Sequence, residues 1–271
     1  MKKIAVFAVV MITVLATFAL AQDGGRGNPV AGNRLFSDDF ATFVNRWETI
    51  DAQDTSVQYD NQALHFVLSG PDIEAVSQPS NPTVLPRFIM QTSVAYTDNS
   101  ATDGFGGIMF GYQDVDNYYV YGIQPTGHYE VRLRFDGEWQ EPLVRGFVEE
   151  MTETIQLGIQ YDAGRYVLFI NEESLVPFFD DSLASGEFGL YASAGTSDTH
   201  VIFDDFVVFD LLYDDDATAE PTRAPTETTA PANTPPSAPT ATVEPTAVPT
   251  SASDPDAPTP TPGETVAPPR I

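Results

Sequence analysis

The chain has 271 residues, no cysteine, and 39 acidic against 12 basic side chains, for a formal net charge of -27. Without cysteine there are no disulfides, thiolate metal sites or lipid-modified N-terminal cysteine, so core packing has to hold the fold. Phosphate binding needs clustered cations, and anionic lipid repels a chain this acidic; nucleic acid and charged membranes are thus poor partners, while neutral glycans, cations and basic proteins stay open.

Residues 1–21 read as a signal peptide: Lys2 and Lys3 precede an apolar run from Ile4, broken only by Thr13 and Thr17, and Ala19-Leu20-Ala21 offers small residues at both ends of a cleavage site. The apolar run is shorter than the ~20 residues of a spanning helix, so cleavage after Ala21 and no membrane insertion thereafter are expected, with a retained anchor as the alternative. Lys2 and Lys3 are the only lysines, which leaves arginine as the one basic side chain of the mature protein. Residues 22–32 are expected to form a flexible N-terminal segment.

The segment 33–212 is long enough for one domain with a substantial core. Short runs of period-two alternation at 88–96, 107–112, 118–123, 129–135, 155–161, 165–171, 188–192 and 201–209 predict strands. Asp136-Gly137 predicts a hairpin, and Pro125-Thr126-Gly127 and Asp162-Ala163-Gly164 predict turns. No long segment has a helical repeat, so an all-β sandwich or barrel is expected. From 213 to 271 the character changes: Thr and Pro alternate in pairs such as Pro245-Thr246 and Thr259-Pro260, and no aromatic follows Tyr213. That composition cannot bury a core, and a disordered, semi-rigid Thr/Pro-rich stalk is expected.

LFSDDF at 35–40 followed by Trp47, GGIMFGYQDVDNYYVYGI at 106–123, GHYEVRLRFDGEW at 127–139, YVLFINEESL at 166–175, SGEFGLYA at 185–192 and FDDFVV at 203–208 occur in an order that resembles concanavalin A-like jelly rolls, and among them the bacterial 3-keto-disaccharide hydrolase-like domains. The resemblance implies two stacked antiparallel sheets with the first and last strands side by side. In that pattern an arginine usually follows the phenylalanine of the GIMF strand; here Gly111 and then Tyr112 stand in its place. This departure implies loss of a cation able to hold substrate, and no catalytic residue is carried over.

The residues themselves give the same answer on catalysis. A retaining glycosidase needs two carboxylates about 5 Å apart, and no Glu-x-Asp-x-x-Glu strand pattern occurs. Glu149, Glu150, Glu153, Glu172 and Glu173 read as solvated loop acids, no Gly-x-Ser-x-Gly elbow is present, and His65, His128 and His200 read as isolated. Alternation over 129–135 puts Glu130, Arg132 and Arg134 on the face opposite Val131 and Leu133. There they would offer donors and an acceptor to sugar hydroxyls while Tyr118 or Trp139 stacks on a pyranose ring; the plainer account is an ion-pair ladder with tyrosines in the core or at the sheet rim. If the first and last strands pair, Asp38, Asp39, Asp204 and Asp205 converge, either as turn-forming aspartates or as oxygen ligands for a structural calcium. Asp114 to Asn117 is a weaker calcium candidate that also reads as a turn.

The expectation is a secreted or cell-surface, extracytoplasmic all-β jelly roll on a stalk, acting as a non-catalytic glycan-binding or surface-interaction module. Its partner would be a glycan or cell-envelope component; no cofactor is required, structural calcium aside. A sugar hydrolase of the 3-keto-glycoside type and a structural envelope spacer are the alternatives.

Overall fold

A computed structural model describes residues 27–42, 46–183 and 186–214. The expected signal peptide and all but the first two residues of the expected stalk lie outside the described residues. The alternation that the sequence carries folds as strands, numbered here in chain order. One sheet holds β1 (Pro29–Asp38), β2 (Ile50–Asp51), β3 (Thr55–Asp60), β4 (Ala63–Leu68), β6 (Arg87–Tyr96), β12 (Thr154–Asp162), β13 (Arg165–Ile170), β14 (Glu173–Ser174), β15 (Phe178–Phe179) and β17 (Thr199–Tyr213). The other holds β5 (Glu74–Ser77), β7 (Phe105–Asp114), β8 (Asn117–Ile123), β9 (His128–Phe135), β10 (Glu138–Trp139), β11 (Val144–Phe147) and β16 (Glu187–Ser193). β1 begins at Pro29, inside the segment expected to be flexible, because Pro29 and Val30 pair with Tyr213 and Leu212.

The first sheet runs β14-β13-β12-β6-β17-β4-β3-β2 and the second β10-β9-β8-β7-β16-β5, antiparallel throughout. β17 is the long central strand. One of its edges pairs with β6, and the other takes β4 along Thr199–Phe203 and then β1 along Phe206–Tyr213, so the first and last strands do lie side by side. Between those two partners sits a bulge at Asp204 and Asp205, with Asp205 at φ 51°. The bulge explains the FDDF spelling: one inserted residue lets Phe203 and Phe206, three apart, both point into the core instead of to opposite faces.

The sandwich core is aromatic. Phe66, Phe203, Phe206, Phe110, Tyr119, Tyr121 and Phe188 are fully buried, and Phe36, Trp47, Phe188 and Phe206 meet with ring centroids 5.2–6.0 Å apart. Such edge-on and offset contacts add to the area each ring removes from water. Turns follow the predicted chemistry. Asp136 (φ 52°) and Gly137 (φ 81°) close the β9–β10 hairpin, and Ala163 and Gly164 close β12–β13. Asp114 Oδ1 accepts from the Asp116 N–H and from Asn117 Nδ2, so this segment is a turn. Gly111, where the resembled family usually has arginine, has φ 61° beside a register shift in the β7–β8 ladder. A side chain at that position would be strained, so the missing cation follows from the backbone path.

Candidate functional site on the outer face of the second sheet

Below the second sheet is the sandwich core; its outer face carries a second apolar cluster of Phe105, Met109, Tyr118, Val120 and Tyr191, edged by Val76, Tyr112 and Trp139. Strand register explains the assembly. Tyr118 opposes Arg134, Val120 opposes Arg132, and Gly122 opposes Glu130, so the polar side of β9 and the alternate residues of β8 share one face. Gly122 is needed there, because a Cβ on it would come within 2.6 Å of the Phe105 ring. The ring lies across the strand where a side chain would otherwise stand.

Tyr118, Glu130, Arg132, Arg134 and Trp139 therefore share one face, as the sequence predicts, and the structure joins them to residues that carry no signal in the sequence. Arg132 pairs with Glu130 and lies over the Phe105 ring at 4.3 Å; Arg134 lies over Trp139 at 5.6 Å. Glu74, from the far edge strand β5, accepts from Trp139 Nε1 at 2.8 Å and from Arg134 Nη1 at 3.1 Å. Trp139 also meets Tyr118 and Tyr191 edge-on, at 5.6 and 5.8 Å. Five strand-to-strand steps of about 4.8 Å would hold β10 and β5 about 24 Å apart in a flat sheet, so side chains meeting above the middle require this face to be concave. Glu74 fastens the two edges across it.

This fastening corrects one expectation. Tyr118 is only 4% exposed, shut in by Tyr112 and Trp139, and burial together with the nearby Glu74 charge pushes its phenol up to about 12. It is a floor for Trp139 rather than a surface on which a ligand stacks; Trp139 is the partly exposed ring of the pair. The two arginines form ion pairs, one along β9 and one across the face, which is the plainer account with a different partner for Arg134. Beneath them Tyr191 is fully buried, and burial, reinforced by the Glu74 charge, holds its phenol well above the ordinary tyrosine value.

At the other end of the same face the cover stops. An open cleft of about 430 Å³ is lined by Gln124, His128, Tyr129, Glu130, Arg145, Gly146 and Phe147. His128 is not isolated: its ring lies 4.9 Å from Phe147, and Thr126 Oγ1 sits 3.0 Å from its Nδ1. His65 and His200, 135 residues apart in sequence, are likewise joined, with Nδ1 and Nε2 2.8 Å apart across β4 and β17 on the outer side of the first sheet. Desolvation lowers both below the ordinary histidine value.

The four aspartates do converge at the β17 bulge. Burial, reinforced by Asp205 and then by Asp39 and Asp38, raises Asp204 from 3.8 to about 6, and burial with Asp39 raises Asp205. Two of them are engaged locally. Asp38 turns inward, its Oδ1 accepting from the Phe40 N–H at 2.8 Å and its Oδ2 from Trp47 Nε1 at 3.0 Å, while Asp39 Oδ1 accepts from the Ala41 N–H. Among the described residues no group of three or more His, Asp or Glu side chains is placed to hold a metal ion. The contacts these aspartates make are with turns and the bulge.

A Bacillus subtilis protein of unknown function with a galectin-like fold superposes at a TM-score of 0.53, with 13% identity over 68% of this chain and 99% of that one. The chain is a concanavalin A-like jelly roll. A Bacillus licheniformis β-glucanase superposes at 0.50, with 7% identity over 66% of this chain and 99% of that one. The carbohydrate-binding module CBM66 of Bacillus subtilis follows at 0.48, with 13% identity over 60% and 95%. No family model and no curated protein matches the jelly roll. The 3-keto-disaccharide hydrolase-like family thus remains a sequence resemblance, while the jelly-roll architecture it implied is present. No helix among the described residues is long and apolar enough to cross a membrane.

Proposed function

We propose that this jelly roll is an extracytoplasmic, non-catalytic glycan-binding module, secreted or held at the cell surface, and that the concave face of the second sheet is where it binds. The observation that carries the reading is the gathering of Trp139, Arg132, Arg134 and Glu130 on that face. A partly exposed indole supplies an apolar surface for the C–H face of a pyranose, and guanidinium and carboxylate groups fixed by their own pairing supply donors and acceptors for hydroxyls. The engagement of Glu130 and Glu74 by arginine and indole N–H groups supports binding over hydrolysis, because a glycosidase needs one carboxyl group free to give up a proton. The superposed β-glucanase acts on a saccharide from the same fold, which supports saccharide as the ligand class. The strongly acidic chain favours neutral saccharides over anionic ones.

A glycan array probed with the parent protein and with Trp139→Ala tests this. The proposal expects retention of neutral oligosaccharides by the parent and loss by the variant, with no release of reducing sugar on long incubation. Product release would favour the hydrolase alternative, and an array without signal would favour the spacer.

A further inference from the structure

We infer that the open cleft between β9 and β11 is a second saccharide subsite, taking one neutral pyranose unit of a chain whose neighbouring units lie along the concave face; this rests on the glycan-binding reading above. The placement follows from register. Arg145 opposes Glu130, and Phe147 opposes His128, in the β11–β9 ladder. Directly opposed residues in an antiparallel pair project to the same side, so Arg145 and Phe147 join Glu130, Arg132 and Arg134 on the concave face rather than on the core side. Along β9 the path from His128 to Arg134 spans about 20 Å, a length that an oligosaccharide covers and a single sugar does not.

The chemistry of the cleft is that of a sugar subsite. Phe147 is 54% exposed yet held in place by the His128 ring, giving a fixed apolar wall open to solvent. Large rings are costly to leave in water, and this one is backed by a partner that restrains it. Beside the wall stand an acceptor, Glu130, and a donor, Arg145, on opposed positions, so that neighbouring hydroxyls of one ring could give a proton to the first and accept one from the second. Gln124 adds an amide able to do either. Arg145 is available for this: its ion pair with Glu141 is long, 3.5 Å, and both side chains are mostly exposed. Such a pair contributes little and is readily exchanged. In contrast with the Trp139 end, where Glu74 already occupies the donors, Arg145 and Phe147 need no strong internal contact broken before a ligand enters, and Glu130, which meets Arg132 through Oε1, keeps its Oε2 to accept from a hydroxyl.

The experiment is calorimetric titration of the full chain with three neutral probes, cellohexaose, laminarihexaose and xylohexaose, and with hexagalacturonate as an acidic control. Parent, Phe147→Ala, Arg145→Gln and Trp139→Ala are compared. The inference expects at least one neutral probe to bind, hexagalacturonate to bind more weakly, and Phe147→Ala and Arg145→Gln each to weaken the neutral probe about tenfold. Melting temperatures should stay at the parent value, since both side chains are exposed. If Trp139→Ala weakens binding while Phe147→Ala and Arg145→Gln bind like the parent, the cleft is not a subsite and the concave-face reading stands alone. If none of the neutral probes binds, both fall. Tighter binding of hexagalacturonate would overturn the neutral-pyranose assignment.

Discussion

Replacing Asp204 by asparagine should stabilise the protein at neutral pH. Asp204 sits half-buried in the β17 bulge, and burial plus the charges of Asp205, Asp39 and Asp38 raise its carboxyl from 3.8 to about 6. A folded-state value above the unfolded one means that the fold prefers the protonated acid. That preference is fully expressed below pH 3.8 and is lost as pH rises through about 6, so at pH 7 the ionised group opposes folding. A rise of this size corresponds to about 3 kcal/mol in the absence of screening, and the partial exposure of Asp204 reduces this to roughly 1 kcal/mol. Asparagine keeps the Oδ1 that accepts from the Asp205 N–H at 2.8 Å and removes only the charge. For a domain of this size the gain is a rise in Tm of about 2–4 °C. Thermal melts of parent and Asp204→Asn from pH 3.5 to 8 should show this rise at pH 7 and its disappearance toward pH 4. The parent should melt alike in millimolar calcium and in chelator. A variant less stable than the parent at pH 7, or a calcium-dependent rise of several degrees in the parent that the variant lacks, would instead show that these aspartates hold a metal or that the charge at Asp204 is not destabilising.

The histidine pair gives the opposite slope. His65 and His200 are both lowered by desolvation, so their contribution is present above about pH 6.5 and is lost as pH falls through their depressed values; His65→Gln should flatten that acid-side loss relative to the parent in pH-dependent melts. Glu74→Ala should unfasten Trp139, costing about 1–2 kcal/mol from two lost charge-assisted hydrogen bonds and shifting tryptophan emission to the red; the only other tryptophan, Trp47, is buried and reports no change. Phe206→Ala should cost about 3–5 kcal/mol in denaturant unfolding because it empties the centre of the aromatic core. Arg132→Ala with Arg134→Ala should abolish glycan retention, with a small loss of stability from Glu130 and Glu74 losing their guanidinium partners, checked by binding and circular dichroism on the same sample.

The strands with strong alternation and glycine-marked turns are legible residue by residue, as is the face that Arg132 and Arg134 share. β3 and β4 escape notice, although Val57, Tyr59, Leu64, Phe66 and Leu68 alternate clearly. Their hairpin turns on Asn61 (φ 48°) and Gln62 (φ 66°), and no glycine flags it. The contacts that decide what the site can do are hidden for a different reason. Glu74 meets Trp139 across 65 positions of sequence and five strand steps, and His65 meets His200 across 135; neither spacing has a local signature. The closure of Tyr118 likewise depends on sheet curvature, which alternation does not encode. The aspartate convergence follows from strand order, but the inward turn of Asp38 toward Trp47 does not.

NMR titration of isotope-labelled protein with the neutral hexasaccharide that binds best would reveal whether the concave face of the second sheet binds saccharide without turning it over. Shift changes are expected in the Trp139 indole and along β8, β9 and β11, with the sugar signals unchanged over days. Changes confined to the first sheet around His65 and His200, or new reducing-end signals growing with time, would contradict that expectation.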